Sequence, residues 1–432
     1  MLTDVVRIDR EDDKYVVFNK RGMVLELTIE EYKLLMKWGR QRAFPKVHKD
    51  FFNRLCSYEI TLFENYEPKR EPVQYSMQLL NHTSSSPVFR APIVAHLGIT
   101  GLCNMRCKYC SVRKPYLNTD TLTTKEWKTI ITKLRQLGVY QIGLTGGEPT
   151  LREDIVELAK YVTKQGCSFN LTTNGWQIDK RLILRLKSAG MGQCQVSLDS
   201  NILKINDMLR ENGSCVRATS TIRLMKELGI VVGIDCVVSK NNIRHIESFV
   251  KWLKEQEVPY LTLIKIKQGY LSKKDFQELL PDYWEYTRLI EKMCNRKNIS
   301  PCVTIDCGSV SNLQAVLRED ELNKVPVAGC PAGHTLLSIA PNGDIYPCVA
   351  LSDPEFKIGN ALRDDLKEVF NENKVLRKLR EVKQRVTGEC FDCKRLDYCR
   401  AGCRGIANSL YGLWESDKTC EVKKCTQEQT SS

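Results

Sequence analysis

Residues Gly101 to Cys110 read GLCNMRCKYC and place thiols at Cys103, Cys107 and Cys110. Three thiolates on one loop can hold three irons of a four-iron, four-sulfide cube and leave the fourth iron open. An open iron is what a substrate or cosubstrate needs in order to bind a metal. A structural zinc would want a fourth ligand, and neither a His nor a Cys follows at zinc spacing. A second set of thiols lies far downstream. Cys330 and Cys348 flank Gly343 in a C-x12-G-x4-C pattern, and Cys390, Cys393, Cys399 and Cys403 follow as C-x2-C-x5-C-x3-C, with Cys420 and Cys425 beyond. Pairs of the C-x2-C type also suit a zinc ribbon when they stand alone.

The chain has 432 residues and nineteen cysteines. Met1 to Lys14 is rich in acidic and basic residues and has no apolar signal-peptide core. No apolar run approaches membrane-spanning length. A cytoplasmic location is therefore expected, without a membrane partner, where clustered cysteines mean metal rather than disulfides. Disulfides remain open for Cys56 and Cys167, outside the motifs. Lys and Arg number 65 against 52 Asp and Glu, a net charge of +13. The basic residues follow helical stretches such as Lys125 to Arg135 instead of forming one block. A solvated surface is expected, with at most a weak pull on an acidic substrate and no nucleic-acid partner.

The elements that must position these thiols fall into three regions. From Val5 to about Glu64, short alternating segments (Val5–Ile8, Tyr15–Phe18, Met23–Leu27) predict small strands. Thr28 and Glu31 have capping-box spacing and open a helix through Trp38. Glu67 to Ser86, with Pro68, Pro72 and a run of three serines at 84 to 86, reads as a linker. From about 92 to 290, strand candidates Ile93–Ile99, Gln141–Leu144, Ser168–Thr172, Gln193–Leu198, Val231–Val238 and Tyr260–Ile266 alternate with helical stretches. Those stretches are Thr124–Leu137, Glu153–Gln165, Lys180–Ser188, Ala218–Leu228 and His245–Gln256. Gly138, Gly166, Gly190 and Gly229 give C-cap signals. Six β-α units imply a parallel sheet, doubly wound or barrel-like, with its chemistry at the C-terminal strand ends. The third region, about 300 to 425, holds ten cysteines and few long periodic segments apart from Leu362–Val382. Bound metal could replace a large core there.

The CxxxCxxC loop, with an aromatic before the last Cys (Tyr109), resembles the radical S-adenosylmethionine (SAM) superfamily. Supporting motifs follow in order: Gly146-Gly147-Glu148-Pro149 after the second strand, Asn174 after the third, Ser197 and Asp199 at the fourth, Arg210 in Asn206-Asp207-xx-Arg210, and Val237 on the fifth. Each alone could be an ordinary turn or cap. The resemblance implies a partial (β/α)6 TIM-like barrel. It also implies a catalytic cluster on Cys103, Cys107 and Cys110, and SAM bound by these motifs. Tyr109 and Val237 would meet the adenine, Gly146 to Pro149 the amino group, with Glu148 on the ammonium, and Arg210 the carboxylate. Ser197 and Asp199 would lie near the ribose. The chemistry implied is reductive cleavage of SAM to a 5′-deoxyadenosyl radical that removes a hydrogen atom from the substrate.

Residues 326 to 425 resemble the SPASM domain of peptide-modifying radical SAM enzymes. That resemblance implies two auxiliary [4Fe–4S] clusters, making three in all. Cys330, Cys348 and Cys403 would hold the first, with Cys307 as the candidate fourth ligand, Cys302 behind it, or an open iron. Cys390, Cys393, Cys399 and Cys420 would hold the second, with Cys425 as a spare. Sulfatase-maturing relatives carry an Asp directly after the Cys that Cys348 matches. Here Val349 stands in that place, which argues against sulfatase maturation. The N-terminal strands and helix resemble the small α+β, winged-helix-like recognition element of PQQ-biosynthesis type, which binds a leader peptide as an added strand. The alternative is a structural cap. The expected division is 1–66 recognition element, 67–91 linker, 92–300 barrel, 301–425 SPASM domain and 426–432 polar tail. The implied activity is maturation of a ribosomal precursor peptide with a leader, by an intramolecular crosslink. A Cys thioether is the leading product, and a flavodoxin or ferredoxin would be the reductant. Carbon–carbon crosslinking or epimerisation is the alternative enzyme. A leader-binding or electron-carrying iron–sulfur protein without radical chemistry is the alternative of another class.

Overall fold

The structure is a computed structural model that describes residues 5–11, 14–19, 24–33, 91–111, 122–269, 271–295, 300–316, 329–417 and 420. The expected linker up to residue 90, the tail, Cys56, Cys425, Met23 and the helix beyond residue 33 lie outside these residues.

The first three strands, β1 (Val5–Glu11), β2 (Lys14–Asn19) and β3 (Val24–Thr28), form an antiparallel meander with β2 in the centre. A helical turn follows β3. Thr28 N–H donates to Glu31 Oε2 at 2.9 Å and Glu31 N–H to Thr28 Oγ1 at 3.2 Å, the reciprocal pair that the spacing predicts.

The remaining ten strands form one sheet. In chain order they are β4 (Val94–Thr100), β5 (Gln141–Gly146), β6 (Ser168–Thr173), β7 (Gln193–Ser197), β8 (Val231–Val238), β9 (Tyr260–Lys265), β10 (Cys302–Ile305), β11 (Leu336–Ile339), β12 (Asp344–Tyr346) and β13 (Gly359–Asn360). Their spatial order is β10-β9-β8-β7-β6-β5-β4-β11-β12-β13. Strands β4 to β10 are parallel to their neighbours and lie in chain order. Right-handed crossovers that always step the same way put every connecting helix on one face. Within β4 to β10 the strand order does not reverse, so this run is not doubly wound.

The two faces differ as this winding requires. Ala95, Leu97, Leu144, Leu171, Cys194, Val196, Ile234 and Leu263 are fully buried against the helices. Trp127, Ile130, Ile131 and Leu134 of helix Thr124–Leu137, and Phe249, Val250 and Leu253 of helix Ile246–Glu255, meet them there. Each such side chain stabilises by about 1.5–3 kcal/mol. The opposite face carries half-buried polar residues in alternation: His96, Asn170, Gln195, Asp235 and Thr262. Helix ends follow local chemistry. Thr123 and Glu126 form a capping box, Asp179 accepts from Leu182 N–H at 2.7 Å, and glycines 138, 166, 190 and 229 close helices in the left-handed conformation.

Two features cross the boundary expected at residue 300. Strand β10 is a seventh parallel strand beside β9, and β11 adds to the opposite edge, parallel to β4. The Cys-rich region thus shares the sheet. It also has a small core of its own, in which Ala332, Tyr346, Leu351, Phe356 and Leu379 surround Cys330.

Candidate iron–sulfur and cosubstrate site

Strand β4 ends at Thr100, and the three-cysteine loop follows at the C-terminal edge of the sheet. Thr100 Oγ1 accepts from Leu102 N–H at 3.0 Å and Cys103 Sγ accepts from Met105 N–H at 3.4 Å. The loop is tied to its surroundings by backbone groups. Gly147 N–H donates to Thr100 O at 2.8 Å, Glu148 N–H to Leu102 O at 2.7 Å and Lys108 N–H to Leu209 O at 3.0 Å. Gly147 has a reason to be glycine that lies inside the protein, since a Cβ there would stand 2.1 Å from Leu102 O. Gly269, after β9, is equally constrained. It has φ +54 and a Cβ would fall 1.9 Å from Cys110 O. No sequence pattern singled it out.

Glu148 is 1% exposed. Its carboxylate accepts from Thr150 N–H (3.1 Å), Thr150 Oγ1 (2.6 Å), Thr173 Oγ1 (2.8 Å) and Asn174 N–H (2.7 Å). Burial raises its pKa, and these donors work against that rise. The carboxylate thus locks the turn after β5 to the end of β6. Asn174 in turn donates from Nδ2 to Asn104 Oδ1 of the loop at 2.8 Å. Pro149 opens a short 3-10 turn capped by Glu148.

Asp199 and Arg210 form a buried ion pair at the ends of β7 and the following helix. The Nη2–Oδ1 distance is 2.8 Å, and Asp199 is wholly buried. Asp199 Oδ1 also accepts from Val237 N–H at 2.8 Å, and Oδ2 accepts from the Tyr109 hydroxyl. The guanidinium lies 5.6 Å from the centre of the Tyr109 ring. Tyr109, Asp199, Arg210 and Val237 are therefore brought together, as the motifs imply, with the carboxylate at their centre. Arg210 Nε is buried and has no partner among the described residues. Asn206 was quoted in the sequence only as part of the Arg210 motif, and Asn242 was not singled out. Asn206 Oδ1 accepts from Asp199 N–H, and Asn242 Nδ2 donates to the Asp199 and Val237 carbonyls. Ser197 is half-buried at the end of β7, opposite Asp235 on β8.

The downstream cysteines form two groups. Cys390, Cys393, Cys399 and Cys420 line one cavity, with Arg395 and Asp417 on its wall. Cys307, Cys330, Cys348 and Cys403 form the other. Cys307 and Cys403 share a hydrogen bond, which pushes the Cys307 pKa up and the Cys403 pKa down, and Lys267 also favours the Cys403 thiolate. Cys330 and Cys348 face Cys403, and burial raises the Cys348 pKa to about 12. The structure thus brings Cys307 to this group. Cys302, at the start of β10, has burial as the sole cause of its raised pKa. Lys267 and Asp306, an ion pair beside Cys307, were missed in the sequence because no motif joins them.

Among the described residues, no three His, Cys, Asp or Glu side chains converge on a point that would hold a single metal ion. A mononuclear zinc site needs that convergence. A cube does not, because each thiolate binds a different iron. Burial pushes the Cys103 and Cys107 thiols up to about 11, and a bound cation reverses that preference. Thiolate-only donor sets, three on the loop and four in each downstream group, are of the kind a cube uses with one thiolate per iron. No described helix is long and apolar enough to cross a membrane.

Comparison with known proteins agrees with this geometry. Residues 97–253 match the model of the radical SAM superfamily, and residues 330–394 match that of the SPASM iron–sulfur cluster-binding domain. Mycofactocin maturase MftC of Mycobacterium tuberculosis is 26% identical over 315 residues, covering 72% of this chain and 78% of the relative. Fe-coproporphyrin III synthase of Methanosarcina barkeri is 25% identical over 375 residues, covering 81% and 92%. Among solved structures, Streptococcus suis SuiB bound to precursor peptide SuiA superposes with a TM-score of 0.72 at 19% identity, covering 97% of this chain and 98% of that one. The structure of anSMEcpe with bound AdoMet gives 0.60 at 21% identity, covering 79% and 93%. With its three-cysteine loop at the strand ends and its grouped downstream thiols, this chain is an enzyme with a radical SAM domain and a SPASM iron–sulfur domain.

Proposed function

We propose that this enzyme matures a ribosomal precursor peptide by forming an intramolecular crosslink, with a Cys thioether as the leading product. The observation that carries the peptide reading is the fold match over 97% of the chain to SuiB, a protein solved with its precursor peptide. The Fe-coproporphyrin III synthase relative favours a porphyrin substrate instead. An N-terminal β-meander with β3 at an open edge supports the peptide, since an extended leader can add to such an edge.

In this reading Cys103, Cys107 and Cys110 hold the catalytic cluster. Cys307, Cys330, Cys348 and Cys403 hold one auxiliary cluster, and Cys390, Cys393, Cys399 and Cys420 hold the other. The bound cofactors supply one-electron reduction of the SAM sulfonium and hydrogen-atom abstraction by a 5′-deoxyadenosyl radical. A flavodoxin or ferredoxin supplies the electron. The chain's own residues shape the pocket. Glu148 fixes the Gly146–Pro149 turn and offers charge to the SAM ammonium. Asp199 holds Tyr109, Arg210 and Val237 in one place, and Arg210 Nε is left to receive the SAM carboxylate. Ser197 contributes a hydroxyl near the ribose.

The test is to look for a short open reading frame beside this gene and to offer the peptide it encodes to the enzyme. Full-length enzyme with reductant and SAM is expected to lower the peptide mass by two hydrogens. A variant lacking residues 1–66 is expected to cleave SAM slowly, keep its iron and leave that peptide unmodified. Equal crosslinking by the truncated enzyme would reduce the N-terminal unit to a structural cap. Formation of iron-coproporphyrin III from a porphyrin precursor, with the peptide left unchanged, would overturn the whole reading.

Glu148→Ala gives a second expected result. A lost charge-assisted bond at a buried site costs on the order of 1.5–3 kcal/mol. SAM affinity should fall by about tenfold or more, at about 1.4 kcal/mol per decade. Iron content should not change. Equilibrium SAM binding to the reconstituted protein measures this, and an unaltered affinity would remove Glu148 from the cosubstrate site.

A further inference from the structure

The left-handed run between Cys399 and Cys403 has an unusual resident. Arg400 has φ +51 and Ala401 φ +60, both conformations that favour glycine, and Gly402 follows at +74. The turn aims the Arg400 side chain inward, where it is 8% exposed. Its Cβ packs against Gly329, where an added Cβ would stand 2.8 Å from it, and its charge faces Cys330. Arg400 Nε has no partner among the described residues. Its other charged neighbour is Lys383, and His334 beside it is held neutral by burial. An arginine guanidinium stays cationic at neutral pH.

The other cations near this thiol group are accounted for. Lys267 is ion-paired with Asp306. Arg404 donates to the carbonyls of Ala401, Leu413 and Glu415 and so holds the chain together. Among the described residues Arg400, like Arg404, is a buried guanidinium that faces no carboxylate, but unlike Arg404 it is not spent on backbone carbonyls. A charge in that position is costly unless an anion faces it. A four-iron cube on four thiolates is such an anion, and it becomes more negative on reduction.

We propose that Arg400 sets the reduction potential of the auxiliary cluster held by Cys307, Cys330, Cys348 and Cys403, by stabilising the added electron. Net charge near the cluster is a recognised lever on potential. Arg400 acts through Cys330 and its cluster, so it is a positioning residue and not a catalytic one. The assignment rests on the cluster reading given above.

The experiment uses the full chain with Cys103, Cys107 and Cys110 replaced by Ala, reconstituted anaerobically, so that only the auxiliary clusters are seen. Iron is counted, and both clusters are titrated with dithionite under electron paramagnetic resonance detection. Arg400→Gln is expected to lower the reduction equilibrium constant of one cluster about tenfold, ~59 mV for one electron. The other cluster should stay in place, and Arg400→Lys should restore most of the shift. Loss of about four irons in Arg400→Gln but not in Arg400→Lys would support the same charge requirement. Intact iron with no shift, equal shifts of both clusters, or iron loss in both variants would overturn it. Fewer than about eight irons in the parent would defeat the cluster reading itself, and the Arg400 assignment with it.

Discussion

Replacing Cys103, Cys107 and Cys110 together with Ala is expected to abolish SAM cleavage and to lower the iron content from about twelve to about eight per chain, on four-iron stoichiometry. The argument has two parts. The three thiols sit on one loop directly after β4. The other two thiol groups lie on different elements, lining a separate cavity and surrounding Cys403. Removing the first set should therefore leave the others loaded. The loop is also held by backbone hydrogen bonds from Gly147, Glu148 and Lys108 that do not involve the thiols. The fold should survive the triple replacement. Iron and sulfide analysis after anaerobic reconstitution, with chromatography of 5′-deoxyadenosine, measures both effects. Wild type with only about four irons would defeat the auxiliary-cluster reading, and persistent SAM cleavage in the variant would displace the loop from the chemistry.

Asp199→Ala should give the largest loss of stability of any single substitution near the site. Asp199 is wholly buried and joins three elements: Arg210, the Val237 N–H on β8 and the Tyr109 hydroxyl on the cysteine loop. Breaking a buried pair by removing one partner leaves an uncompensated charge and costs about 3–5 kcal/mol. Removing both charges leaves none behind. The double variant Asp199→Ala/Arg210→Met should therefore regain a large part of that loss. Urea unfolding of the reconstituted proteins, read by circular dichroism, gives the comparison. A double variant no more stable than Asp199→Ala would mean that the ion pair is incidental. SAM affinity should fall in both variants, because Arg210 loses its orientation in the first and its charge in the second.

Glu148 shows how far local reading reaches. Two glycines and a carboxylate after a strand say that a backbone turn must come close to something and that a charge is at hand. The nearest neighbour of Gly147 is Leu102 of the cysteine loop, and the nearest donors to Glu148 are Thr150, Thr173 and Asn174. The motif thus builds its own loop geometry as well as whatever it offers a cosubstrate. Asp199 and Arg210 behave alike: both types were legible, but their mutual pairing was not, since eleven positions separate them in the chain.

The order and type of the parallel strands were legible because each is a short apolar run followed by an amphipathic helix with its own cap. Helix Thr124–Leu137 and helix Lys180–Ser188 occur with the bounds that their periodicity predicts. The thiol spacings were legible too, because a cluster needs several cysteines on one short segment and that requirement is written in consecutive residues. What the sequence by itself determined is therefore the local part: six β-α units, the cysteine loop, and the caps and turns. Only the tertiary structure decided that the Cys-rich region adds β10 and β11 to both edges of the parallel run, that Cys307 joins Cys403, and that Arg400 faces Cys330 with no carboxylate partner among the described residues. These contacts join segments that lie tens to hundreds of residues apart. Local propensity and spacing carry no information about such pairings, which are set by how the whole sheet winds and by which buried charges find an opposite one.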